Sequence, residues 1–154
     1  MPISNPAAVS VPTLISYKSA DQTINNSATP VDVAEMVITV EANQKYEFFF
    51  YVKNRATATV VIRALVTVPA GGSLLAISNG GIGGSSGVEP MIESDFTNYR
   101  GIAGKAADRL ATFRGLYIGG ANAGNVQFQF AQETAEASDT KILAGSYIEA
   151  RKLA

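Results

Sequence analysis

The 154 residues include no cysteine, no histidine and no tryptophan. Without cysteine there can be no disulfide framework and no thiolate metal site, so stability must come from packing and assembly. The further loss of histidine removes the commonest general base and, with cysteine, the principal zinc ligands and the usual thiol nucleophile. No cofactor or metal is expected, and the chain reads as a non-enzyme. Charge is also scarce. Only 16% of residues are charged, against roughly 25% in average soluble domains. Much of the surface is therefore neutral, which suits a subunit seated against neighbours. Twelve basic and thirteen acidic residues leave a net charge of −1 with no Lys/Arg cluster, so nucleic acid is not an expected partner. Long apolar runs are missing too, and MPISNPAAVSVP has no basic region followed by an apolar one. Neither membrane anchoring nor a cleaved signal is expected.

The length fits one domain. Residues 1–12 carry Pro2, Pro6 and Pro12, with Ile3 and Val11 among small residues. This pattern prevents helix and favours an extended arm. Such an arm is either frayed or a tether laid over a neighbouring subunit. Residues 13–154 are expected to form a single antiparallel β-sandwich.

Two β-rich runs, Val33 to Val40 and Lys45 to Val52, flank Glu41-Ala42-Asn43-Gln44 and predict a hairpin. In the second run, period-two alternation puts Tyr46, Phe48, Phe50 and Val52 on one face, and Glu47, Phe49, Tyr51 and Lys53 on the other. The first face reads as core. The second still carries Phe49 and Tyr51, more than a solvated sheet surface normally shows, and calls for cover by another chain or by a loop. Phe49 and Tyr51 are thus the candidate subunit interface. A further strand is predicted over TVVIRALVTV, residues 59–68, stopped by Pro69-Ala70-Gly71-Gly72. A short run follows from Leu74 to Ile77. Strands are also expected over 91–99 and from about Leu110 to Ile118, the latter broken or bulged at Gly115. KAADRLA, residues 105–111, has a brief helical look but is too short to stand as a helix. In NVQFQFAQ the core positions are Val126, Phe128 and Phe130. After a polar loop from Glu133 to Asp139, two short closing strands are separated by Gly145. Eight or nine strands without a convincing helix predict a sandwich or barrel.

Two features have the outline of a site. SNGGIGGSSG has five glycines in ten residues but lacks a Gly-Lys-Ser/Thr ending or a following helical pattern, so it reads as a loop rather than a phosphate cradle. Glu93 and Asp95 would share a strand face, a spacing that can serve a metal or acid–base chemistry but more often marks a solvated face.

Two segments carry a family resemblance. DQTINNSATPVDVAEMVITVEANQKYEFFFYVKNRATATVVIRALVTVPAG has the Ala42-Asn43 turn, Tyr46-x-Phe48 and Pro69-Ala70-Gly71. NVQFQFAQETAEASDTKILAGSYIEARKL has Phe128-x-Phe130-Ala131-Gln132 and Leu143-Ala144-Gly145-Ser146. Together these resemble small structural proteins of tailed bacteriophages, across roughly half of the chain; residues 73–124 have no match. One departure is Phe130, where relatives would carry Trp, which puts only local packing in question. The resemblance implies a jelly-roll sandwich similar to the tumour-necrosis-factor fold, assembled as a trimer in a virion after synthesis in the host cytoplasm. The expected function is a capsid decoration (cement) protein, bound to itself and, through Pro2, Ile3, Pro6, Val11 and Pro12, to a major capsid protein. The alternative is a receptor- or glycan-binding module of a tail or head fibre, in which the loops at 79–87 and 133–139 would contact a host surface glycan. No internal repeat or heptad pattern is present, so no fibre shaft is expected.

Overall fold

The structure, a computed structural model, describes residues 12–79, 94–95 and 100–153, with side chains over 12–77 and 101–153. The strands are β1 (Thr13–Tyr17), β2 (Gln22–Asn25), β3 (Val31–Val40), β4 (Lys45–Thr67), β5 (Ser73–Asn79), β6 (Ser94–Asp95), β7 (Arg100–Ile118), β8 (Gly124–Gln132), β9 (Asp139–Ile142) and β10 (Tyr147–Leu153). All pairings are antiparallel. The fold is an all-β, jelly-roll-like sandwich, and no helix occurs among the described residues.

β4 organises it. Its 23 residues keep one inward parity on both sides of an exposed Ala58: Tyr46, Phe48, Phe50, Val52, Asn54, Ala56, Val60, Ile62, Ala64 and Val66 are all buried. The two runs expected as separate strands, 45–52 and 59–68, are therefore one strand. Its first half pairs with β10 and with the end of β7; its second half pairs with β8 and with the start of β7. The register slips between Asn54, Ala56 and Val61 let the β4–β7 ribbon fold over, so that it enters both layers. One layer runs β1-β10-β4-β7-β5-β6. The other places β3 beside β8 and β8 beside β4, with β2 and β9 joined to it at Asn54 and Arg55. The inward faces meet in a ring-rich core: Phe50 lies 5.9 Å from Phe128 across the layers, 5.8 Å from Phe48 along its own strand. Phe130 is fully buried in the same core, so the position accepts Phe.

Three expectations need correction. The runs flanking Glu41–Gln44 are not a hairpin, because β3 pairs with β8 and not with β4. The stretch is an arch between layers. Asn43 adopts φ 57, its N–H donates to the Gly120 carbonyl at 2.7 Å, and the Gly119 N–H donates to the Gln44 carbonyl at 2.8 Å. The arch is thus laced to the β7–β8 connection, which crosses beside it. Second, the strand expected from Leu110 starts at Arg100 and includes KAADRLA, because tertiary pairing with β4 overrides a weak local helical preference. Third, the register passes straight through Gly115, opposite Phe48. A β-carbon there would lie 2.9 Å from Leu74 Cδ1 and 3.0 Å from the Leu75 carbonyl oxygen, so crowding, not a bulge, requires glycine. β1 and β2 were not expected as elements in their own right, apart from the short first strand that the resemblance implied.

The motif residues hold turns together. The buried Gln132 amide accepts from the Ser27 and Glu136 N–H groups at 3.0 and 2.9 Å, and donates to the Ser138 carbonyl and Thr140 Oγ1 at 2.9 and 3.2 Å. Ser146 Oγ donates to the Leu143 carbonyl at 2.8 Å and accepts from the Lys53 N–H at 3.0 Å. At the β3 irregularity Glu35 has φ 65, and side chains take up the freed backbone groups. Gln22 accepts from the Ala34 N–H at 2.8 Å and donates to the Asp32 carbonyl at 2.8 Å. Gln127 donates to the Val33 and Met36 carbonyls at 3.0 and 3.2 Å. Hydrogen bonds from the Ser19 N–H and hydroxyl hold the Glu35 carboxyl below its ordinary pKa. Beneath them Lys18 is buried; that burial pushes its pKa down, while Glu35 and Asp21 push it back up.

Two outcomes are expected. A β-carbon at Gly104 would sit 2.2 Å from both the Thr57 and Val60 carbonyl oxygens, inside the fold of the ribbon. Gly104→Ala should therefore cost about 1–3 kcal/mol, read as a lower thermal midpoint. Glu35 has a folded pKa below its unfolded value, so its contribution is complete above about 4.5 and is lost as pH falls through the folded value. Thermal melts should show Glu35→Gln less stable than the parent near neutral pH, with the gap closing in acid.

Candidate functional site: an aromatic and aliphatic sheet face

Because β4 buries its even positions, its odd positions form the outside of the β1-β10-β4-β7-β5 layer, and the register fixes their neighbours. One row reads Tyr17, Tyr147, Tyr51, Thr112. The next reads Ile15, Glu149, Phe49, Arg114, Ile77, and the one after it Thr13, Arg151, Glu47, Leu116, Leu75. Phe49 and Tyr51, the candidate interface residues, both lie on this face and are half-buried. The structure brings them together through Tyr147. Its ring stacks on Tyr51 at 5.0 Å and lies 6.1 Å from Phe49, while Tyr17 stacks on it from the other side at 6.5 Å. The Arg114 guanidinium is 6.0 Å from the Phe49 ring centre.

The large hydrophobic side chains exposed among the described residues gather here. Ile15 is 62% exposed, Tyr17 61%, Leu110 45%, and Leu116 and Ile118 40% each; all five sit at outer positions of this layer. The remaining one, Leu14, is on the same edge strand. The face also holds charge of both signs. Glu47 and Arg151 pair directly across β4 and β10 at 2.6 Å. Two shallow depressions indent the surface, one of about 540 Å³ between β5, β7 and the end of β10, the other of about 380 Å³ around Phe49.

Sequence reasoning reached Phe49 and Tyr51 but missed Ile15, Tyr17, Leu116 and Tyr147. A signal for Tyr147 existed, since Ile148 and Ala150 alternate inward behind it. Ile15 and Tyr17 were hidden by the prolines preceding them. Of the proposed arm, only Pro12 is among the described residues, exposed and outside any strand; Pro2, Ile3, Pro6 and Val11 lie outside them, as does the glycine-rich stretch beyond Asn79. Glu93 lies outside them too, and with it the carboxylate pairing proposed with Asp95. No group of three or more Asp, Glu, His or Cys able to hold a metal is found among the described residues. The other loop proposed for ligand contact, 133–139, is mostly exposed and is hydrogen-bonded to Gln132 through Glu136 and Ser138. Besides its bonds to Gln132, the Glu136 carboxylate accepts from Thr59 at 3.1 Å. Hydrogen bonds from Asn25 and Lys141 lower the pKa of Asp139.

No family model matches the chain, and no curated protein does. Two solved structures, of infectious bursal disease virus strains Gt and Gx, align over 99% and 92% of the chain and over 42% and 40% of their own chains. Identity is 8% in both, and the TM-scores are 0.34 and 0.30. The chain spans less than half the length of these structures. At such scores the likeness carries no argument about what the chain does.

Proposed function

We propose that this chain is a virion structural protein: a homotrimeric decoration protein of a tailed-phage head, whose copies join through the outer face of the β1-β10-β4-β7-β5 layer. The observation that carries the reading is the gathering of exposed hydrophobic side chains onto that face, centred on the Phe49, Tyr51, Tyr147 and Tyr17 rings. A sheet face of this composition gains about 25 cal/mol for each Å² of apolar surface removed from water. Interfaces of roughly 1,200–2,000 Å² are of the size that makes stable complexes. The trimer and the phage head come from the sequence resemblance. The partner beyond the trimer is a major capsid protein, held by the arm at 1–12, and the protein works without catalysis: binding only the assembled shell, it stabilises that shell by linkage.

A receptor- or glycan-binding module is the second reading, favoured by the free side of Tyr17 at the end of the tyrosine row. Glycan-array binding that Tyr17→Ala abolishes would select it.

Light scattering should give three times the 16.1 kDa chain mass, and Tyr51→Glu or Tyr147→Glu should shift it toward one chain; a monomer at high concentration would sink the trimer. Removing residues 1–12 should leave the β-sheet spectrum and the thermal midpoint intact but reduce occupancy on capsids. Unchanged occupancy would rule out the arm as the tether.

A further inference from the structure

Glu149 and Arg114 stand on either side of Phe49 in one register row, each cross-strand from it. One row away, Glu47 is neutralised by Arg151 at 2.6 Å. Arg114 and Glu149 differ from that pair: among the described residues neither forms an ion pair. The strand between them separates their backbones by roughly 10 Å, two interstrand spacings. The depression of about 380 Å³ lies between them, lined by Phe49 and also by Glu47 and Arg151. The row therefore offers one anchored cation, one carboxylate, and a hollow between them.

We propose that Arg114 of one copy pairs with Glu149 of the next when two such faces meet, with the hollow receiving the incoming side chain. The proposal rests on the reading of this face as a self-association surface. Burying either charge against the tyrosines and aliphatics without a partner would weaken association strongly. A face that carries both signs unpaired is complementary to another copy of itself. The pair also selects register, because a displaced docking would set like charges together or leave both unpaired. Glu47 and Arg151 line the same hollow but are already matched within the chain.

The test compares Arg114→Glu, Glu149→Arg and the double charge reversal by sedimentation over a concentration series, with circular dichroism to confirm folding of each. Arg114→Gln and Glu149→Gln serve as milder versions should a reversal fail to fold. Each single change should weaken association by about 30-fold or more, and the double reversal should restore it to within a few-fold of the parent. Singles that assemble as tightly as the parent would overturn the pair, and so would a double reversal no better than the singles. In both cases the parent still associates, so the self-association reading survives. A parent that stays monomeric overturns both.

Discussion

The fold depends on the side-chain parity that the two halves of β4 share. Because the same parity faces inward on both sides of the exposed Ala58, across the register slips near Asn54, Ala56 and Val61, one strand lines the core of both layers and pairs with four others. Phe48 and Phe50 stack along β4, and Phe50 meets Phe128 of β8 across the layers. Gly104 makes the turn-over of the β4–β7 ribbon possible, as a side chain would meet two carbonyl oxygens. The same parity rule that buries the even positions turns Phe49 and Tyr51 outward.

Period-two patterning was legible wherever one face is buried. The inward sets Tyr46, Phe48, Phe50, Val52 and Val126, Phe128, Phe130 were readable from sequence, as was the outward placement of Phe49 and Tyr51. What could not be read was partnership. Val33–Val40 and Lys45–Val52 look like a hairpin locally, but an arch and a tight turn use the same polar, small residues; only the β7–β8 connection, about 75 residues downstream, supplies the backbone partners that fix the arch. The polar stretch inside β4 likewise resembles a loop, since Asn54, Arg55, Thr57 and Thr59 are poor core residues. Pairing with β7 and β9 at Asn54, Arg55 and Ala56 holds it extended.

The candidate surface was half legible for a similar reason. Alternation tells which residues share a strand face, but not which strands lie side by side. Tyr17, Tyr51 and Tyr147 come from three distant parts of the sequence and form one row only after β1 and β10 have docked on β4. Glu149 and Arg114 become neighbours of Phe49 in the same way. Surface chemistry assembled across strands is invisible until the strand order is known.

The sharing of β4 between layers also has a mechanical side. In a sandwich whose layers touch only through side chains, a sideways force can slide one sheet over the other. Here the backbone itself passes from layer to layer, together with its antiparallel companion β7. A force applied to either outer surface must therefore be carried as shear along many parallel hydrogen bonds, which yield together rather than one at a time. Sliding one layer over the other would therefore strain backbone as well as side-chain contacts.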